Sequence, residues 1–115
     1  MIQHTVTFRL NADADGETFF ARDRSLSDLP GVQHFEVLQQ VGQKNDFTDA
    51  LTMNFADQES YDGYNNHVEH LAFVNDVWLP NVEDFLELDY VRDAGLPDET
   101  HTAWAAPHFA YISGD

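Results

Sequence analysis

The chain has 115 residues, which fits one domain with a small hydrophobic core. It contains no cysteine, which excludes disulfides and thiolate chemistry, and no apolar run of about 18 residues, which excludes a transmembrane helix. Twenty-one acidic residues outnumber five basic ones, and the formal net charge of −16 disfavours nucleic acid and anionic membranes as partners. The N-terminus lacks the pattern of a signal peptide, so we expect a cytoplasmic protein.

The first predicted elements are a strand and a helix. Residues 2–10 alternate between apolar and polar side chains, and this period of two predicts a half-buried strand. After a polar turn, Asp15 or Thr18 can cap a helix that reaches about Asp28. The Leu-Pro-Gly sequence at residues 29–31 ends that helix.

The middle of the chain favours two strands joined by a hairpin loop. Residues 32–41 and 48–55 have the composition and alternation of strands, and the polar segment 42–46 between them has the character of a turn. In the second strand, alternate positions from Leu51 to Phe55 place three apolar side chains on one face.

A second helix and a last strand complete the predicted domain. Asp57 can cap the helix, and Pro80 is expected to stop it, because the residue before a proline avoids helical backbone angles. The apolar face of this helix is predicted from the spacing of Leu71, Val74, Val77 and Trp78. Residues 82–91 form the last strand, with Phe85 and Leu86 as core candidates.

The order of these elements predicts the fold. The sequence β-α-β-β-α-β is typical of a ferredoxin-like α+β fold with a four-stranded antiparallel sheet. Helices cover one face of such a sheet, and a bare second face with apolar residues needs a partner. We therefore expect residues 1–91 to form a homodimer in which two sheets pack face to face. Residues 92–115 lack periodicity but carry aromatic residues, so we expect a C-terminal extension that packs on the domain or on the partner subunit.

Four residues are suited to proton chemistry. Tyr64, His67 and His70 follow one another at three-residue spacing, and His4 lies in the first strand. Histidine exchanges protons near neutral pH, and tyrosine can donate a hydrogen bond to a carbonyl or enolate. On a straight helix Tyr64 and His70 would point about 120° apart, so they meet only if the helix bends or restarts between them. The alternative is that these histidines are surface or core residues without a chemical role.

A metal site is a further alternative. His67 and His70, with His4 and Asp49, offer nitrogen and oxygen ligands for a divalent metal. Residues 11–16 begin like a calcium-binding loop, but the glutamate that such a loop needs at its twelfth position is missing. We expect neither a metal nor another cofactor.

The chain resembles the stress-responsive A/B barrel family, or Dabb family, of dimeric α+β barrels. The matching segments are, in chain order, Ile2-x-His4-x-Val6-x-Phe8, Leu29-Pro30-Gly31-Val32, Phe55, Tyr64-x-x-His67-x-x-His70 and Leu88-Asp89-Tyr90. The resemblance covers residues 1–91 and leaves 92–115 uncovered. It implies a homodimer whose two sheets form a barrel with the helices outside.

Within that family, the polar residues are similar to those of the plant olivetolic acid cyclase. This resemblance implies that His70 is a general base, that Tyr64 polarises a carbonyl, and that His4 orients the ligand or stabilises charge. The candidate residues of the ligand pocket are Phe19, Phe20, Arg24, Asp49, Leu51 and His67. The chain has Val68 where the family commonly has proline, and its pocket differs enough that the substrate need not be a polyketide.

The residues and the resemblance together predict a homodimer with a small-molecule pocket. If it is catalytic, the reaction is a cyclase, isomerase or lyase type of proton transfer on a carbonyl compound. The alternatives are a non-catalytic, stress-related structural oligomer and a metal- or haem-dependent barrel enzyme. The sequence leaves open whether the protein is an enzyme.

Overall fold

Four strands and four short helices make up residues 1–91, the part of the chain that the computed structural model describes. The elements in chain order are β1 (Ile2–Leu10), α1 (Gly16–Arg24), β2 (Gln33–Gln39), β3 (Asp49–Phe55), α2 (Gln58–Asn66), α3 (Val68–Phe73), α4 (Leu79–Asn81) and β4 (Val82–Val91). A 3₁₀ turn, Ser25–Asp28, extends α1, and a π-helical turn, Val74–Trp78, joins α3 to α4. None of these helices is both long and apolar enough to cross a membrane. The predicted C-terminal extension, residues 92–115, lies outside the described residues.

The strands form one antiparallel sheet in the order β2-β3-β1-β4. The predicted ferredoxin-like α+β fold is therefore confirmed. Because β1 is a central strand, His4 pairs with Met53 of β3 on one side and with Asp89 of β4 on the other. This register puts a carboxylate beside a histidine that precedes it by 85 residues in the chain.

The helix-covered face of the sheet holds the hydrophobic core. Phe8, Met53 and Phe55 have no exposed surface, as the alternation in β1 and β3 predicts. Phe8 packs against Trp78 and Phe19 from the helical layer, with ring centroids 4.9 Å and 5.6 Å away. Burying an aromatic or aliphatic side chain of this size stabilises the fold by about 1.5–3 kcal/mol.

The second helical region differs from its prediction in two places. Leu71 is half exposed, and Phe73 takes its place in the core. The reason is that a break at His67 and the π-helical turn both shift the phase of the helix. Pro80 does not stop the helix, because it lies in the first turn of α4, where the missing N–H is not needed.

The prediction that Phe85 and Leu86 lie in the core is wrong, since they are 43% and 49% exposed. Among residues 1–91, β4 is an edge strand that pairs only with β1, and its alternation sends the two side chains to opposite faces. Phe85 lies opposite Phe8 and packs edge-on against Trp78, with ring centroids 5.6 Å apart. Leu86 lies opposite Thr7, on the other face of the sheet.

That other face, which we call the open face, carries no helix among the described residues. Thr5 and Thr52 lie at its centre with their hydroxyl oxygens 3.1 Å apart, and the hydroxyl of Thr7 is buried without a hydrogen-bond partner within residues 1–91. Leu38 and Leu86 border a shallow groove beside these threonines. The open face is thus a mixture of threonine and leucine rather than a purely apolar surface.

Candidate functional site

A break in the helical region brings Tyr64 and His70 together. α2 ends at Asn66, His67 has an extended backbone with φ −66° and ψ 136°, and α3 begins at Val68. The restart that the convergence requires is therefore present without a proline at position 68. As a result, the rings of Tyr64 and His70 lie 4.4 Å apart between centroids.

His67 stabilises this break as the N-terminal cap of α3. Its Nδ1 accepts a hydrogen bond from the backbone N–H of Glu69 at 3.1 Å. At the end of α2, the side-chain amide of Asn66 donates to the carbonyl oxygen of Asp62 at 3.0 Å. A capping contact is worth about 1 kcal/mol. The imidazole of His67 therefore holds the backbone turn on which the position of His70 depends.

The contacts of His70 determine which of its nitrogens carries the proton. Nδ1 lies 3.1 Å from the carbonyl oxygen of Asn65, and a carbonyl can only accept, so Nδ1 is the donor. In the neutral ring, Nε2 is then free to accept a proton. Burial lowers the pKa of His70 below its ordinary value, although the contact with Asn65 acts in the opposite direction. His70 is thus a neutral base at neutral pH.

A second polar group surrounds His4. Its Nδ1 lies 2.6 Å from a carboxylate oxygen of Asp89, and the hydroxyl of Tyr61 donates to the same carboxylate at 2.9 Å. Because an ionised carboxylate only accepts, Nδ1 of His4 donates to Asp89, which fixes the orientation of the imidazole. Burial, followed by the contact with Asp89, raises the pKa of Tyr61 far above its usual range, so its hydroxyl remains a donor.

The two groups meet at a cavity of about 120 Å³ between the sheet and the helices. Its polar lining consists of His4, Tyr64, His70 and Glu87. Most of its apolar lining comes from Leu26, Leu51, Phe73, Trp78 and Phe85. An apolar cavity of about 150 Å³ can hold a benzene molecule, so this one suits the ring or carbonyl portion of a small ligand.

Tyr64 is a hydrogen-bond donor in this cavity. It is only 2% exposed, and burial, together with the negative charge of Asp23, raises the pKa of its hydroxyl well above the ordinary value. The rings of His4 and Tyr64 are 6.4 Å apart between centroids. A neutral base on His70 and a protonated hydroxyl on Tyr64 therefore border one small space, which is the arrangement that proton removal beside a carbonyl needs.

The cavity includes four of the residues that the sequence predicts for the site. They are His4, Leu51, Tyr64 and His70. These four come from β1, β3, α2 and α3, so the sheet register and the helix break are both needed to assemble them.

The other five predicted pocket residues lie outside the lining. Phe19 is in the core, and Phe20 packs edge-on against it with ring centroids 5.2 Å apart. Arg24 is exposed at the end of α1, and Asp49 borders the groove on the open face. His67 caps α3.

Four further polar residues in or around the cavity are missed by the sequence prediction of the site. Tyr61 and Asp89 hold His4, Glu87 is part of the lining, and Asp23 is buried close enough to affect Tyr64. The available signals are weak. Tyr61 precedes Tyr64 by about one helical turn, and Glu87 and Asp89 alternate with apolar residues along the last strand.

Within residues 1–91, no three histidine, aspartate or glutamate side chains lie close enough together to hold a metal ion. The two histidines of the predicted metal pair have separate contacts. Nδ1 of His67 binds the N–H of Glu69, and Nδ1 of His70 binds the carbonyl of Asn65.

Comparisons with known proteins agree with this architecture. Residues 2–92 match the family model of the stress responsive A/B barrel domain, Dabb. A Dabb family protein with a ferredoxin-like fold from Mesorhizobium loti is 44% identical, with a TM-score of 0.75, and the match covers 79% of this chain and 95% of that protein. No curated protein matches the sequence.

Two more distant structures also share the fold. A dimeric ferredoxin-like protein of unknown function from Thermobifida fusca is 17% identical, with a TM-score of 0.67 over 79% of this chain and 90% of that one. The hydroxynitrile lyase from Passiflora edulis is 16% identical, with a TM-score of 0.74 over 84% of this chain and 96% of that one. At these identities the similarity concerns the fold alone.

Proposed function

Since the chain belongs to the stress-responsive A/B barrel family, we propose that it is a homodimer whose cavity binds a small carbonyl compound and transfers a proton next to the carbonyl. In this proposal His70 is the base, Tyr64 donates to the carbonyl oxygen, and His4 orients the ligand or stabilises charge. The observation that carries the proposal is the convergence of these three side chains on one cavity.

The chemistry follows from the protonation states. Nε2 of His70 removes a proton from the carbon beside the carbonyl, and negative charge develops on the carbonyl oxygen. The hydroxyl of Tyr64 stabilises that oxygen, and the apolar walls strengthen the hydrogen bond by excluding water. The enolate can then be reprotonated, as in an isomerase, or attack or eliminate a second group, as in a cyclase or lyase.

The dimer is proposed from the open face. Leu38 and Leu86 are 45% and 49% exposed beside Thr7, whose hydroxyl has no hydrogen-bond partner in the described part of the chain, and such a surface is suited to contact with a second sheet. The structurally similar protein from Thermobifida fusca is described as dimeric.

We also propose that residues 92–115 are a separate extension that packs on the domain or on the partner subunit. The family match ends at residue 92, and the segment carries Trp104, Phe109 and Tyr111. If this is right, a chain that ends at Arg92 has a lower melting temperature than the full chain. An unchanged melting temperature would contradict the packing. A cytoplasmic location stays a prediction from the sequence.

The proposed proton transfer is tested with cyclohexanone, a small ketone whose hydrogens next to the carbonyl exchange with deuterium in D₂O. We expect the wild-type protein to accelerate this exchange, followed by proton NMR. His70→Ala should reduce the protein-catalysed rate by about 10²–10⁴-fold, the usual worth of a positioned base. Tyr64→Phe should reduce it by about 10²-fold, because it removes the donor to the oxyanion.

His34→Asn is the matched control for these variants. His34 is an exposed histidine on β2 with a φ of 51°, a backbone conformation that asparagine tolerates. It should exchange cyclohexanone at the wild-type rate. A wild-type protein that does not exceed the buffer rate, or a His70→Ala variant as fast as the wild type, would overturn the proposed function.

A further inference from the structure

The charges around the cavity have one sign. Glu87 is exposed in its lining, and its negative charge acts on both His70 and Tyr64. Among residues 1–91, no lysine or arginine lines the cavity. Arg9 is paired with Glu83 at 2.7 Å, in a different part of the structure. The site therefore has no fixed positive charge to offer a ligand.

Asp23 adds a second carboxyl group behind the cavity wall. It has no exposed surface, and neither of its oxygens has a hydrogen-bond partner among the described residues. It precedes Leu26, which lines the cavity, by about one helical turn, and its charge acts on Tyr64. Burial raises the pKa of Asp23 to about 7, while the charge of Arg24 acts in the opposite direction.

We propose that the cavity accepts neutral or cationic ligands and rejects anions, and that Glu87 and Asp23 are the residues that set this preference. The inference rests on the proposed function and narrows its substrate class. It points to an uncharged carbonyl compound, or to one that carries an amine, rather than to a carboxylate or phosphate ester.

The physical argument is electrostatic. A negative ligand in a cavity of about 120 Å³ cannot move far from Glu87, and the apolar walls reduce the screening that water would provide. Asp89, a further carboxylate near the cavity, accepts hydrogen bonds from His4 and Tyr61. The net charge of −16 repels anions from the whole surface and raises the local concentration of cations.

Three probes with the same phenyl ring and a similar side arm test this preference. They are 2-phenylethylamine as the cation, 2-phenylethanol as the neutral compound and phenylacetate as the anion, each titrated by calorimetry at neutral pH. We expect the amine to bind at least as tightly as the alcohol, and phenylacetate to bind about tenfold more weakly or worse. Glu87→Gln and Asp23→Asn should each reduce the ratio between amine and anion affinity by about threefold.

Glu59→Gln is the matched control, because it removes one negative charge from the exposed first turn of α2. It should leave the affinity ratio unchanged. Phenylacetate binding as tightly as the alcohol, or a ratio that neither Glu87→Gln nor Asp23→Asn alters, would overturn the inference.

Cyclohexanone exchange on the same preparations separates this inference from the proposed function. If the wild type catalyses exchange but the affinities of the three probes do not follow their charge, only the charge preference fails. This outcome includes probes that bind equally tightly and probes that do not bind at all. If the wild type neither exchanges cyclohexanone nor binds any probe, the proposed function fails, and the charge preference fails with it.

Discussion

The two faces of the sheet are built from the same strands but differ in what they can do. On the helix-covered face, Phe8 and Met53 have no exposed surface, and His4 reaches the cavity from between such residues. On the open face, the neighbouring positions of β1 are Thr5 and Thr7, and Leu86 beside them is half exposed. One face therefore supplies the stability and the proposed site of proton chemistry, whereas the other supplies the surface proposed for a partner.

The comparison teaches why a single strand can serve both purposes. Alternation along β1 assigns each side chain to one face, so His4 and Thr5 are neighbours in sequence but have separate surroundings. Substitutions on one face should leave the properties of the other unchanged. The following predictions use that independence.

The largest expected effect is a loss of stability on the covered face. Phe8→Ala removes a ring that packs against Trp78 and Phe19, and it should lower the free energy of unfolding by about 3–5 kcal/mol. Thr5→Ala, three positions earlier on the open face, should cost about 1 kcal/mol, the worth of its hydrogen bond with Thr52. Urea unfolding measures both, and similar losses would contradict the contrast between the faces.

The next effect concerns Asp23 and pH. Its pKa of about 7 in the folded protein exceeds the ordinary value of 3.8. At pH values between these two, the carboxyl group of Asp23 is therefore protonated in the folded state but ionised in the unfolded state. This difference contributes up to about 4 kcal/mol to the free energy of unfolding. The contribution is fully present below about pH 4 and is lost as the pH rises through about 7.

Asp23→Asn should remove this part of the pH dependence, and it should make the protein more stable than the wild type in mildly alkaline buffer. Urea unfolding at a series of pH values measures the slope. Asp28→Asn has the same change in charge at an exposed position and should keep the wild-type slope. A slope that Asp23→Asn does not alter would show that Asp23 is solvated or paired in solution.

A smaller effect is expected at the open face. Leu86→Glu places a charge on the surface proposed for the dimer and should raise the dimer dissociation constant by at least about tenfold, or about 1.4 kcal/mol. Light scattering after size exclusion measures the mass. Val41→Glu adds the same charge at a residue that is 97% exposed and should remain dimeric. A wild-type monomer at micromolar concentration would contradict the dimer itself.

The smallest effect is at the helix break. His67→Ala removes the cap of α3 and should cost about 1 kcal/mol of stability, whereas His67→Asn should retain most of it, because asparagine is a good capping residue. Thermal unfolding compares the two variants. Equal melting temperatures for both variants would show that the side chain of His67 does not stabilise the break.

Local patterns predict most of the fold, because they depend on interactions between near neighbours. Alternation correctly identifies the strands, and Asp15 and Asp57 cap α1 and α2 with hydrogen bonds from Thr18 and Ser60. The failure at Leu86 has a clear reason. An apolar residue in a strand looks the same whichever face of the sheet it lies on, and only the register against β1 reveals that Leu86 lies on the face that no helix of residues 1–91 covers.

The site is less predictable from sequence because it depends on contacts between distant residues. The requirement for a break between Tyr64 and His70 follows from helix geometry, but the histidine that caps the restart looks like a pocket residue in the sequence. The contact between His4 and Asp89 depends on the register of β1 against β4, which no local pattern encodes.

The central claim, that His70 is a neutral base beside His4 and Tyr64 in one ligand cavity, is tested most directly by ¹⁵N NMR of the histidine side chains. At neutral pH the spectrum should show His70 with its proton on Nδ1 and none on Nε2. Added cyclohexanone should shift the signals of His70 and His4 but not those of His34. A proton on Nε2 of His70, or a titration in which neither cavity histidine responds, would contradict the account.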